Sequence, residues 1–164
     1  MQFAVSASEN QPAGANAVSV TKNIAQNNRV LFLAIALLAT AGIVVSTISL
    51  QRHYAKSATT FCELGEKFNC DIVNRSEYSS VMGIPVAGIG IVGYGVLLAL
   101  TTVYRTRVET PLRLMVAALG GLGFALYLTY VEGFVLGTWC ILCLCSLGLI
   151  TGIAILAGVV KARA

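Results

Sequence analysis

Four stretches of this chain carry no charged residue, and each is long enough to cross a ~30 Å hydrocarbon layer as a helix. They are residues 30–50, 81–104, 114–131 and 133–160. Gly83 and Pro85 interrupt the second run, so its regular helix is expected over 85–104. The last two runs are separated by a single charge, Glu132, and the turn between them is expected near Glu132 and Gly133, with the final span over 134–160. One helix over 114–160 would be far too long for a single crossing. The expected fold is an all-α membrane protein, a four-transmembrane-helix bundle occupying 30–160.

Composition agrees. Hydrophobic residues make up 57% of the chain and charged residues 11%, against about 25% charged in a soluble domain. The net charge of +4 is modest, and no basic block or stripe marks a nucleic-acid surface.

Residues 1–29 are rich in Ala, Asn, Ser and Gln and show no apolar period, so they read as a disordered tail, and 161–164 as a second, short one. The start lacks the apolar core of a signal peptide, and the run over 30–50 exceeds the usual length of one. Basic residues orient the spans. With the N-terminus cytosolic, that side holds Lys22, Arg29, Arg105, Arg107, Arg113, Lys161 and Arg163. The other side holds Arg52, Lys56, Lys67 and Arg75, diluted by five acidic residues. Both termini are therefore expected in the cytosol.

The cysteines follow the same polarity. Cys62 and Cys70 lie in the outer loop 51–80, Cys140 and Cys143 near the outer end of the last run, and none falls in a cytosolic segment. Disulfide chemistry belongs on the oxidising side. On a helix, residues three apart turn about 300°, so Cys140 and Cys143 would share a face at disulfide spacing. Cys62 and Cys70 close a short ring in a polar loop, open to soluble partners. Within the loop, Ile72, Val73, Ser76, Ser79 and Ser80 have helical spacing, which suggests a short surface helix over the bundle mouth.

Blander readings stand beside these. Taken alone, Cys62 and Cys70 fit a structural bridge in a non-catalytic scaffold, and Cys140 and Cys143 fit small apolar fillers. Cys145 faces away from Cys143 and reads as filler. A zinc site is disfavoured, because one pair lies in the membrane and the lone His53 reads as a solvated loop residue. Glu132 reads as a helix-end cap or turn residue, with a proton relay as the sharper option. The many helix glycines fit close packing, or room for a flat ring between helices.

The loop pair, the stretch CDIVNRSEYSSVMGIP and the stretch YLTYVEGFVLGTWCILC together resemble the vitamin K epoxide reductase family, over about 30–160. The resemblance implies a four-helix bundle around a quinone, of ubiquinone or menaquinone/vitamin K type, capped by the outer loop. It implies electron flow from a thioredoxin-like partner to Cys62, then Cys70, Cys140 and Cys143, and on to the quinone. Ser76 matches the family's serine that hydrogen-bonds a quinone oxygen. After the CxxC the chain reads Leu144-Cys145-Ser146-Leu147, where vertebrate members carry Thr-Tyr-Ala, which favours quinone over epoxide reduction. The chain carries no thioredoxin domain, so the partner is expected to be a separate periplasmic or lumenal protein, and the location a bacterial inner membrane. A DsbB-type oxidase places its CxxC ahead of the spaced pair, the reverse of the order here.

Overall fold

The computed structural model describes residues 13–54, 68–103 and 109–163, with side chains described from Asn28 onward. The chain runs through helix α1 (Ala13–Tyr54) into a small cap. The cap comprises α2 (Cys70–Arg75), a 3-10 turn (Glu77–Ser79) and a hairpin of β1 (Ser80–Val81) and β2 (Ile84–Pro85). Three further helices follow: α3 (Val86–Thr102), α4 (Thr110–Tyr130), which continues as a π-helical turn (Val131–Leu136), and α5 (Ile141–Arg163). Contacts run α1–α3, α3–α4, α4–α5 and α5–α1, so the long helices form a closed ring.

Among the described residues, three segments are long and apolar enough to cross a membrane: Asn28–Tyr54, Thr110–Leu136 and Ile141–Arg163. Helix α3, at 17 residues, is shorter and also apolar. Leu33, Leu37, Val92, Val116 and Ile155 point outward and exposed. Hydroxyls inside these apolar helices bond their own backbone. Thr40 donates to the Ala36 carbonyl at 2.9 Å, Thr47 to Ile43 at 2.8 Å and Thr151 to Leu147 at 2.7 Å. Each thereby hides a donor that lipid could not satisfy.

Lipid tails are as apolar as leucine, so helix association here depends on packing rather than escape from water. Ile35, Ala39, Leu114, Ala118, Ile153 and Ala157 are wholly buried and fill the half of the ring away from the cap. Close approach at small residues does the rest. A Cβ on Gly42 would stand 2.4 Å from the Tyr94 ring, and one on Gly121 3.1 Å from Ile150. Gly93 and Gly120 have nothing within 4 Å of such a Cβ and instead line a cavity. Close packing thus holds at Gly42 and Gly121, while Gly93 and Gly120 border open space.

The structure departs from expectation in four places. The disordered tail was expected over 1–29; residues 1–12 lie outside the described residues, and 13–29 belong to α1. Extending an existing helix fixes one residue per added hydrogen bond, with no new nucleus to form. The turn before the last span lies at Gly137, not at Glu132 and Gly133. Gly137 adopts φ +62°, the left-handed stop that glycine tolerates, and its amide donates back to the Glu132 carbonyl. The last helix therefore starts at Ile141 rather than 134. Finally, the cap contains a tight hairpin among otherwise helical elements. Met82 (φ +53°) and Gly83 (φ +81°) form its two-residue turn.

Candidate active site

The cap is positioned by hydrogen bonds from both sides. Asn69 caps α2 by accepting the amides of Asp71 at 3.0 Å and Ile72 at 3.1 Å. His53, at the end of α1, donates from Nδ1 to the Asn74 carbonyl. Expected to be a solvated loop residue, it instead fastens the cap to the ring. Of the expected surface helix, only Ile72 and Val73 fall in α2; Ser76 follows it in extended backbone, Ser79 ends the 3-10 turn and Ser80 opens β1.

The segment ahead of α2 meets the segment ahead of α5. Phe68 and Trp139 form a parallel bridge, and the Asn69 amide donates to the Trp139 carbonyl at 3.2 Å. Cys70 lies two residues after Phe68, and Cys140 directly after Trp139. Both are fully buried, in a cluster with Val73, Leu136, Ile141 and Leu142. Their thiols are in contact, and Cys140 also contacts Cys143. Asn74 donates to the Cys70 carbonyl at 2.9 Å and brings its side-chain nitrogen to 3.9 Å from the Cys140 sulfur. Three of the four expected cysteines therefore form one sulfur series. The fourth, Cys62, lies outside the described residues.

Cys140 was expected inside a helix, on one face with Cys143. It precedes the helix instead. Its carbonyl accepts the Leu144 amide at 3.0 Å, so Cys140 stands at the cap of α5 and Cys143 in its first turn. Contact with the Cys143 sulfur and burial push the Cys140 thiol well above the ordinary thiol range; contact with Cys70 offsets part of this. Cys145 is exposed on α5, away from the packed interior it was expected to fill.

Glu132 is 2% exposed. From within the π-helical turn, its Oε2 accepts the Cys140 amide at 3.1 Å. Its other oxygen has no hydrogen-bond partner among the described residues. The carboxylate and the sulfurs of Cys140 and Cys143 lie within 4.8 Å of one another. Three donors this close would suit a soft metal ion, but a closed zinc site takes four.

Beneath the cap lies a cavity of about 420 Å³, within the range of small-molecule sites. Its walls are mostly apolar, with Ile89, Leu97, Phe124 and Leu128 among them. Polar groups sit at separate points. Ser76, beside Asn74 and His53, lines the cap side. Ser76 spends its proton on the Val73 carbonyl at 2.8 Å, which leaves its oxygen as an acceptor. Deeper in the ring, the Tyr94 hydroxyl donates to the Ser146 carbonyl at 2.9 Å. Cys143 and Glu132 also reach this cavity. His53, Asn74 and Tyr94 were not singled out from sequence as site residues. Only tertiary contact assigns them a place.

A family profile described as the vitamin K epoxide reductase family matches residues 33–157, most of the chain. Among curated proteins there is no significant match.

Proposed function

The chain belongs to the vitamin K epoxide reductase family, a family of membrane oxidoreductases acting on thiols, disulfides and quinones, and from that premise we propose a protein-dithiol:quinone oxidoreductase. It reoxidises a thioredoxin-like protein and so supports disulfide formation in exported proteins. The observation that carries this reading is that Cys143 ends a series of three sulfurs, the other two fully buried, and lines the cavity.

The cavity suits a flat apolar ring. Its volume is adequate, Gly93 and Gly120 leave space, and the polar groups lie apart, as the two oxygens of a quinone require. A quinone bound there accepts two electrons and two protons. Cys143 presents its sulfur to the ring, Ser76 faces one polar end, and Cys140 closes the disulfide with Cys143. Cys70 then exchanges with Cys140 through their contact, which passes the oxidising equivalent toward the cap. Cys70 and Cys140 are sealed from solvent, so a soluble partner needs another thiol, and Cys62 in the segment joining α1 to α2 fills that role.

In this reading the four long helices are a four-span bundle. Helix α3 covers roughly 25 Å, and the hairpin extends it at the outer surface. Both termini face the cytosol and the cap faces outward, in the bacterial inner membrane, with a quinone of ubiquinone or menaquinone type.

The test is thiol trapping on purified protein supplied with quinone and a reduced thioredoxin-like protein. Oxidation of that protein is expected to require quinone and to vanish in Cys143→Ala. If Cys143→Ala supports quinone-dependent oxidation as well as the unaltered chain, the relay is wrong. If the buried cysteines never change state, the scaffold reading replaces it.

A further inference from the structure

Removing electrons from a dithiol also removes two protons, and the cavity wall offers little to receive them. Its aliphatic side chains cannot, and the Ser76 and Tyr94 hydroxyls are spent on backbone carbonyls. Two lining groups can: His53, whose Nδ1 is held on the Asn74 carbonyl at the cap side, and Glu132, the one whose carboxylate stands beside the Cys143 sulfur. Glu132 is buried at 2% exposure, lines the cavity, and keeps one carboxylate oxygen with no hydrogen-bond partner among the described residues. The Cys143 sulfur and a Glu132 carboxylate oxygen lie within 4.8 Å of each other. Oε2 of Glu132 is anchored by the Cys140 amide at 3.1 Å, which fixes the carboxylate beside both sulfurs. A buried carboxylate with a free oxygen is costly to maintain unless something uses it.

We propose that Glu132 is the proton acceptor for the cavity dithiol, a catalytic group beside the reacting sulfur. This rests on the quinone-reductase reading and extends it. The S–H bond of Cys143 breaks as its proton moves to the Glu132 carboxylate and the sulfur delivers its electrons into the cavity. The Cys140 thiol then forms the S–S bond to Cys143 and loses its own proton by the same route. Two electrons and two protons leave the sulfurs. Both pairs end on the quinone, with its oxygens taking the protons from Glu132, and the carboxylate is restored. The fixed amide contact keeps the carboxylate from swinging to solvent between the two transfers.

Two measurements test this. The first needs no quinone: infrared spectra of the reduced protein in the S–H stretching region, with the Cys143 band assigned by its loss in Cys143→Ala. The band is expected at the lowered frequency of a thiol donating to a carboxylate, and is expected to move up in Glu132→Gln. A band at the frequency of an unbonded thiol in the unaltered protein overturns the proposal. So does the absence of any Cys143 S–H band, even if no variant at 132 folds. The second is the rate of quinone-dependent oxidation, expected to fall by about 10²-fold in Glu132→Gln, in line with loss of an acid–base group. Glu132→Asp is expected to regain part of that loss. A Glu132→Gln protein within threefold of the unaltered rate sinks the inference alone. An unaltered protein that shows no quinone-dependent oxidation sinks the functional reading beneath it.

Discussion

The amide of Asn69 donates to the carbonyl of Trp139 across 3.2 Å, and this bond sets Cys70 beside Cys140. Two segments far apart in sequence are thus held at the spacing that thiol exchange requires. The contact predicts a trapped intermediate. With Cys143 replaced by alanine, Cys140 has lost its alternative partner, so a Cys70–Cys140 disulfide should accumulate under oxidising conditions. Mass spectrometry of non-reduced peptides checks it.

The cap is fastened by His53, and that bond has a readable consequence. His53→Ala leaves the Asn74 carbonyl without its donor, at a cost of about 1 kcal/mol. Once the cap loosens, Cys70 should become open to alkylation in the reduced protein, at least several-fold faster than in the unaltered chain. Cys145, already exposed on α5, should react at an unchanged rate and serves as the internal reference.

Gly42 is where α1 and α3 come closest to excluding any side chain. Gly42→Ala places a methyl carbon 2.4 Å from the Tyr94 ring, so the ring must move and the Tyr94–Ser146 bond must break. Overpacking of this kind costs about 1–3 kcal/mol. Tyr94→Phe removes only the hydroxyl and should cost about 1 kcal/mol. Thermal unfolding in detergent should rank the two, with Gly42→Ala the less stable.

Cys140 carries a pH signature. Its thiol is held above the ordinary range by the Cys143 sulfur and by burial, so the folded state favours the protonated form more than the unfolded chain does. That contribution is complete below the usual thiol value of about 8.5 and is lost as pH rises beyond it, toward the folded value. The reduced protein should therefore lose stability on the alkaline side, and Cys140→Ser should flatten the dependence. Exchange between Cys70 and Cys140 should show the opposite trend, speeding up with pH as thiolate becomes available.

Much of this was legible because membranes restrict what a chain can do. Charge-free runs located the three described helices long enough to cross a membrane and the shorter α3, whose start Pro85 marked to within one residue. What failed was the treatment of Glu132 as a boundary. A charge inside an apolar run was taken for a turn, whereas the protein buries it by giving it the Cys140 amide. The better signal was Gly137, the αL stop. That error carried Cys140 into a helix it only caps. The hairpin at Met82 and Gly83 left no pattern beyond one glycine, and the placement of His53 and Tyr94 depends on contacts between residues more than twenty apart.

Burying Cys70 and Cys140 completely also settles who is admitted to the conversation. A tripeptide thiol drifting past in the water meets no sulfur at that junction. In the proposed relay, the step between Cys70 and Cys140 is thereby insulated from small reductants in the water.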